Sequence, residues 1–388
     1  MRFLSLIMAK VSILKCNDYN VEEIYKVIKQ SLINIDFEIP KNKTILLKPN
    51  VLGQKKPETA VDTHPAILDA LCILLKENNN ELWIGDSGGV ITYGGTKKAF
   101  EVSGIADIAR KHNARLISFE ASERKEIINN NAKVLKKFII AKEPFTADLI
   151  INVPKLKTHV LTKYTGAVKN MFGCIPGGGK SKKHALAPNE DMFSNLLLDI
   201  YQHVTPNLNI MDAIIGLEGN GPGSAGIPKK AGLILASKDA VALDIEASKI
   251  IGYAPLDIKT IKHAIDRGIF SKLEDIKVIG EKNLRINFKK PSMKSNLSSK
   301  LPEPIVKLIF NLVSLKPYLK KNKCKKCNIC SDVCPVDAIK LSPYPKFDRK
   351  KCVLCYCCHE NCPYSAIKLS YSNLINFLNK IRNIFGKR

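Results

Sequence analysis

The chain contains no run of 18 apolar residues, which argues against a membrane span. It is poor in negative charge: 36 Asp and Glu stand against 61 Lys and Arg in 388 residues, a net charge of +25. It has one tryptophan, its lysines are dispersed rather than grouped, and no nucleic-acid motif occurs, so the basic excess does not read as a nucleic-acid footprint. No G-x-G-x-x-G follows a strand. Gly179-Lys180-Ser181 ends like a P-loop, but the glycine required five positions earlier is Cys174. The apolar stretch Phe3–Met8 is too short for a signal-peptide core, and no small-residue cleavage site follows it. The expected location is therefore the cytoplasm, where clustered thiols bind metal more often than they form disulfides. Met8 opens a cleaner amino terminus than Met1, and either could start translation.

What is present is the balance of a soluble globular chain, 45% apolar and 25% charged, with length enough for one large and one small domain. The twelve cysteines are unevenly spread. Cys16, Cys72 and Cys174 are scattered, while nine fall between Cys324 and Cys362. That segment reads Cys324-Lys-Lys-Cys327-Asn-Ile-Cys330-Ser-Asp-Val-Cys334-Pro335 and repeats 28 residues later as Cys352-Val-Leu-Cys355-Tyr-Cys-Cys358-His-Glu-Asn-Cys362-Pro363. Two copies of C-x2-C-x2-C-x3-C-P match a bacterial-type ferredoxin with two [4Fe–4S] clusters. Three closely spaced cysteines wrap one corner of a cuboidal cluster, and the fourth ligand crosses to the other. The expected ligand sets are Cys324, Cys327, Cys330 and Cys362 for one cluster, and Cys334, Cys352, Cys355 and Cys358 for the second. Cys357, whose counterpart is Ile329, reads as packing. The rival is a pair of zinc knuckles, which rarely show this triple spacing followed by Cys-Pro. From Lys316 onward there are 16 basic and 4 acidic residues, an unusually basic ferredoxin-like segment.

Residues 1–286 alternate apolar β-rich runs with helical stretches, which predicts an α/β domain with a mainly parallel sheet and helices on both faces, followed by a small α+β ferredoxin-like domain. Expected strands are 11–14, 44–47, 81–84, 116–119, 149–152, 208–211, 233–236 and 276–279. Expected helices are 21–33, 65–78, 96–112, 192–204, 240–251 and 256–267. Polar clusters recur where the strands stop: Lys48-Pro49-Asn50, Gly85-Asp86-Ser87-Gly88-Gly89, Asn152 through His159, Asp212, and Ser237-Lys238-Asp239. In open α/β sheets ligands bind beyond the carboxyl ends of the strands, so these loops suggest one shared site. Asp86, Asp212 and Asp239 serve equally well as turn or cap residues.

The series KPN (48–50), THP (63–65), GDSGG (85–89), PKLKTH (154–159), GAVKNMFG (166–173), PGGGK (176–180) and SKDAVALD (237–244) resembles the domain of unknown function 362. The resemblance spans roughly residues 10–250. That family is often fused to a two-cluster ferredoxin in anaerobic bacteria and methanogens, which implies an iron–sulfur protein with a redox role but no settled substrate. Within these motifs the candidate catalytic residues are Lys48, His64, Asp86, Lys155, Lys157, His159, Lys169 and Asn170. Gly177, Gly178, Gly179 and Lys180 form a candidate cofactor-holding loop. The lysines could surround a carboxylate or phosphate, and His64, His159 and His184 could donate protons or ligate a metal. Asp86 could be a base or could orient a histidine. His112, His203 and His263 lie in helical stretches and read as structural.

Residues 287–322 read as a basic linker with an apolar helix over 301–319, residues 323–371 as the ferredoxin domain, and residues 372–388 as a basic amphipathic helix. That tail could lie on an anionic membrane, though packing on the large domain is the commoner outcome. The expected function is an iron–sulfur redox protein whose two clusters relay electrons between a redox partner protein and a small anionic substrate or cofactor in the α/β domain. The alternative is a dedicated electron carrier whose large domain docks partner enzymes.

Overall fold

A computed structural model describes residues 8–89, 95–177, 179–187, 189–291 and 316–370. Strand β1 (Ala9–Lys15) leads to helix α1 (Val21–Asn34), whose first turn is capped by the Asn20 side chain accepting from the Glu23 amide. The alternation continues through β2 (Thr44–Pro49), α2 (Pro65–Lys76), β3 (Glu81–Asp86), α3 (Gly95–Val102), α4 (Ile105–Lys111) and β4 (Arg115–Ser118). A hairpin of β5 (Arg124–Ile128) and β6 (Lys137–Ala141), then the single turn α5 (Glu143–Thr146), precede β7 (Leu149–Val153), β8 (Lys155–His159) and β9 (Lys163–Thr165). Short helices α6 (Ala167–Asn170) and α7 (Gly179–Leu186) follow, then α8 (Glu190–Tyr201) and the long strands β10 (Leu208–Gly219) and β11 (Gly226–Ser237). Helices α9 (Ala240–Ile250) and α10 (Lys259–Asp266) and strand β12 (Ile276–Gly280) complete the large domain.

Among the described residues these strands form a ten-stranded sheet in the order β12-β1-β11-β10-β7-β2-β3-β4, with β8 and β9 continuing from β10. The pairs from β10 across β7, β2 and β3 to β4 are parallel, as is β1 with β12; β11 runs antiparallel to both its neighbours. Strand alternation sends Ile45 and Leu47 into one core and Leu46 into the other, so a continuous apolar run is buried on both faces. Helices α1 to α4 supply Ile24, Ile28, Leu71, Phe100 and Ile105 to the first core. Helices α8 to α10 supply Phe193, Leu196, Leu243 and Ile261 to the second.

Three expectations are corrected. The single helix over 96–112 breaks at Ser103–Gly104 into α3 and α4. Residues 155–159, read as a loop, form β8: Pro154 interrupts β7, but the chain stays extended beside the over-long β10, with Asp212 opposite Lys155 and Leu217 opposite Lys157. Within the stretch read as linker, Phe288 is buried, and Lys316–Leu319 is a strand, β13, not the end of a helix. The rest of that apolar stretch, 301–315, and the tail helix, 372–388, lie outside the described residues.

The small domain is a duplicated unit. β13 pairs antiparallel with β16 (Ile367–Ser370), and β14 (Ile339–Leu341) pairs with β15 (Pro345–Phe347). The helical turns Ile329–Asp332 and Cys357–Glu360 sit 28 residues apart. So do the left-handed residues Lys326 and Leu354, Asn328 and Tyr356, and Asp337 and Ser365. The domain seats on the large one through Tyr356, which enters the α8–α10 core, and through Ser365 Oγ, which donates to the Ser224 carbonyl at 3.0 Å.

Candidate functional site

The carboxyl ends of β2, β3, β7 and β10 place polar side chains along one edge of the sheet, as parallel strands must. Two ion pairs are sealed there. Lys48 Nζ donates to Asp86 Oδ1 at 2.8 Å, with both side chains buried, and Asp86 also accepts the Val51 and Ser87 amides. Lys155 Nζ donates to Asp212 Oδ2 at 2.7 Å and to the Tyr19 hydroxyl at 2.8 Å, and Tyr19 in turn donates to Asp212 Oδ1. His64 stacks on Tyr19 with ring centroids 3.6 Å apart, its amide donates to Asp212, and its Nδ1 caps α2 through the Ala66 amide. Burial lowers the His64 imidazole to about 4 despite the Asp212 carboxylate, and burial likewise lowers the Lys155 ammonium against the pull of Asp212.

Because β8 alternates, Lys155, Lys157 and His159 share one face at steps of about 6.5 Å. The line runs from Tyr19 toward the small domain. Lys157 Nζ donates to Asn50 Oδ1 and to the Val61 carbonyl. His159 Nδ1 accepts the Leu161 and Thr162 amides, and its imidazole is held well below its ordinary value by burial and by Lys169, His184, Lys157 and His359 around it. His184 stacks on Phe193 at 4.3 Å and is lowered to about 3 by burial, with Lys169 and Lys180 adding to the effect. These imidazoles are therefore neutral near pH 7, and the positive charge of this region belongs to its lysines.

An amide ladder ties the strand ends together. Asn50 donates to Asn170, Asn170 to Asn152 at 2.7 Å, and Asn152 to Asn209 at 2.8 Å. Helix α6, which carries Lys169 and Asn170, is anchored by the buried Asp244, which accepts the Ala167 and Val168 amides and the Tyr164 hydroxyl. The motif glycines allow close approach. A Cβ on Gly166 would lie 2.0 Å from Asp244 Oδ1, and one on Gly173 would lie 2.1 Å from Asp86 Oδ1 and 2.5 Å from Lys48 Nζ. Lys180 reaches the Ser87 and Gly88 carbonyls, and burial brings its ammonium down to about 8.

In the small domain two cavities are each lined by four cysteines. One is lined by Cys324, Cys327, Cys330 and Cys362; the other is lined by Cys334, Cys352, Cys355 and Cys358. Backbone amides point at sulfur in equivalent places, Ala338 N to Cys334 Sγ at 3.1 Å and Ala366 N to Cys362 Sγ at 3.2 Å. Among the described residues no three Cys, His, Asp or Glu side chains converge as a single-ion site requires. Each set of four thiols rims a void of its own. Cys357 is buried and lines neither cavity.

Residues 45–249, more than half the chain, match the family described as a domain of unknown function, DUF362. The chain belongs to the DUF362 family. Residues 317–340 match a 4Fe–4S binding domain, which gives this DUF362 protein an iron–sulfur electron-transfer module; the match covers the first of the two cysteine repeats. A thylakoid-associated protein of Synechocystis sp. is 31% identical over 218 residues, 56% of this chain and 65% of that relative, so the chain spans a little under two thirds of its length. Among solved structures, the lactate racemase apoprotein of Thermoanaerobacterium thermosaccharolyticum is similar at TM-score 0.39 and 12% identity, covering 65% of this chain and 59% of that one. A Thermotoga maritima protein is similar at TM-score 0.38 and 12% identity, covering 65% and 60%. No helix among the described residues is long and apolar enough to cross a membrane.

The DUF362 domain thus gathers Lys48, His64, Asp86, Lys155, Lys157, His159, Lys169, Asn170 and Lys180 along one sheet edge. Gly177 donates its amide to Ser87 Oγ, Gly179 opens α7, and Gly178 lies outside the described residues. The expectation that the lysines stand open to an anion is corrected for two of them, since Lys48 and Lys155 are committed to buried carboxylates. His112 and His263 pair with Asp69 and Asp191, and His203 packs edge-on to Phe138. Sequence reasoning passed over Asn50 and Asp244 although both stand in quoted motifs, and it had no signal for Tyr19 or Asp62.

Asp62 is buried with Oδ1 on the Leu52 amide and Oδ2 without a hydrogen-bond partner. Burial raises its carboxyl to about 7, against the Leu52 amide and Lys157, which favour the ionised form. The folded protein therefore keeps a proton that the unfolded chain releases near about pH 4. The stability from this group is full below about pH 4 and is lost as pH rises through about 7. Asp62→Asn stays neutral, so its thermal midpoint is expected to gain on the wild type between about pH 5 and about pH 8. An offset that is the same at both pH values would refute the assignment.

Proposed function

We propose that the protein is an iron–sulfur redox protein in which two [4Fe–4S] clusters, on Cys324, Cys327, Cys330, Cys362 and on Cys334, Cys352, Cys355, Cys358, exchange electrons with a small anionic ligand or cofactor at the sheet edge. One observation carries it: the cysteine domain is seated on that edge. Ser365 bonds Ser224, Asn361 lies against Gly89, and His359 is near enough to His159 to depress its imidazole. Lys55, beside Asp62, is close enough to feel the charge of Cys362. Bound clusters would supply one-electron steps. The chain's own part is to hold eight thiolates, to present Lys157 and Lys169 as cations, and to offer neutral His159 and His184 as groups able to hold or move a proton.

The sealed Lys48–Asp86 and Lys155–Asp212 pairs favour a second reading, a dedicated carrier whose large domain serves to dock partner enzymes. One experiment separates the two. Anaerobically purified protein should carry about eight irons per chain and give coupled reduced-cluster EPR signals. A panel of anionic metabolites is then screened for ligand-dependent reoxidation, and Lys157→Ala and His159→Ala are compared in the same assay. The proposed reading expects reoxidation that both variants lose with their clusters intact. Reoxidation by no metabolite would favour the carrier, and zinc in place of iron would overturn both.

A further inference from the structure

The cavity lined by Cys324, Cys327, Cys330 and Cys362 has two unlike sides. Toward the large domain stands Cys362, within electrostatic reach of Lys55. Toward solvent, Cys327 is exposed, and beside it lie Tyr364 and Leu341, exposed by 46% and 37%. Around this small apolar window stand exposed Lys320, Lys321, Lys323, Lys325 and Lys326. Lys325 and Lys326 line the cavity mouth, and Lys321 and Lys326 lie over the Tyr344 ring at 5.8 and 4.9 Å. Burial lowers the Lys368 ammonium, and the nearby Lys323 and Lys320 add to the effect. The sequence has no acidic residue from Lys316 to Ser331, and among the described residues none of the five lysines has a carboxylate within ion-pair distance. A [4Fe–4S] cluster with its four thiolates in this cavity would carry about two negative charges, which offset only part of the five lysines, so a net positive potential remains at the window.

The other four-cysteine cavity is different. It is lined by Tyr356, which is buried in the core shared with the large domain, and Leu354 and Leu369 are packed against that core. Its thiols are buried or half-buried, whereas the first set has one exposed thiol, Cys327, which opens on the lysine-ringed window.

We infer that this window is the docking surface for a small acidic electron-carrier protein, one whose own redox centre is ringed by carboxylates. The inference rests on the iron–sulfur reading above and names the partner that reading leaves open. Apolar contact at Cys327, Leu341 and Tyr364 gives close approach, while the lysine ring steers the encounter and sets its orientation, as rim charges do in fast transient complexes. In the exchange, the reduced carrier loses one electron and the oxidised cluster gains it, or the reverse, with no bond made and no proton required of the surface.

The test uses the full-length, cluster-loaded protein and an acidic flavodoxin in its oxidised form as probe, with binding followed by isothermal titration at low and high salt. Wild-type affinity is expected to fall about tenfold or more on raising the salt from about 20 to about 300 mM. The variant K323E/K325E/K326E is expected to bind about tenfold more weakly at low salt, while K350E/K351E on the other repeat stays within about twofold of wild type. Equal affinity of the triple variant and the wild type would overturn the inference. So would loss of binding to vesicles rich in phosphatidylserine with flavodoxin binding unchanged, since the surface would then be a membrane face. Iron content of each variant is measured alongside. Iron-free wild-type protein would sink the cluster reading itself, and normal iron with no flavodoxin binding would sink only the docking inference.

Discussion

Alanine at Cys362 is expected to remove about half of the iron, about four of eight atoms per chain, and the iron lost is that held by the first repeat. Cys362 belongs to the second repeat by sequence but lines the cavity of Cys324, Cys327 and Cys330. If the two repeats were self-contained modules, Cys362→Ala would empty the second instead. A double-mutant cycle decides between these arrangements. Cys327→Ala with Cys362→Ala strikes one cavity and should leave about four irons. Cys327→Ala with Cys334→Ala strikes both and should leave almost none. EPR of the first double variant should show one isolated cluster signal, without the coupling of the parent. If Cys327→Ala with Cys362→Ala lost all its iron while Cys327→Ala with Cys334→Ala kept half, the interleaved assignment would be wrong.

The second large effect is on stability. Lys155→Met leaves the Asp212 carboxylate buried without its counter-charge, and breaking a buried pair from one side costs about 3–5 kcal/mol. The lower end is expected, because Asp212 keeps the Tyr19 hydroxyl and the His64 amide. Removing the second charge as well, in Lys155→Met with Asp212→Asn, should recover most of that loss, since no uncompensated ion then remains. Urea midpoints for the wild type, both single variants and the double measure the coupling directly. Simple addition of the two single losses would mean that the pair does not act as one unit. Because Asp212 also accepts the His64 amide at the start of α2, the single variant should increase proteolysis near residues 50–65 before global unfolding.

The two groups of four cysteines were legible in the sequence because their spacing is local. Three thiols at two-residue spacings wrap one corner of a cluster whatever surrounds them, and the 28-residue repeat recurs in the structure as matched left-handed residues, helical turns and amide-to-sulfur bonds. The α/β class was legible for a similar reason, since strands buried on both faces must be continuous apolar runs, and Ile45, Leu46 and Leu47 divide between two cores. The polar strand ends could be found as well, because a parallel sheet carries all of them to one edge.

What those polar residues do to each other could not be read. Lys48 and Asp86 are 38 residues apart, and Lys155 and Asp212 are 57 apart. No periodicity reports that each lysine meets a carboxylate, so side chains that looked open to an anion are in fact closed pairs. Strand β8 was hidden because Pro154 ends β7 and a Lys-rich run looks like a loop; its hydrogen-bonding partners are the over-long β10 on one side and β9 on the other. Asp62 gave no local signal, since its raised carboxyl comes from burial, a property of the packed chain.

By itself the sequence determined the class of the large domain, the duplicated cysteine spacing and the strand ends that could carry a site, because each of these is written in spacing or in short apolar runs. Only the tertiary structure decided which lysines are neutralised, that β8 sets Lys155, Lys157 and His159 in one line, and that the cysteine domain sits at the end of that line. Those outcomes depend on contacts between residues far apart in the chain, and the burial that shifts their charges exists only once the chain has folded.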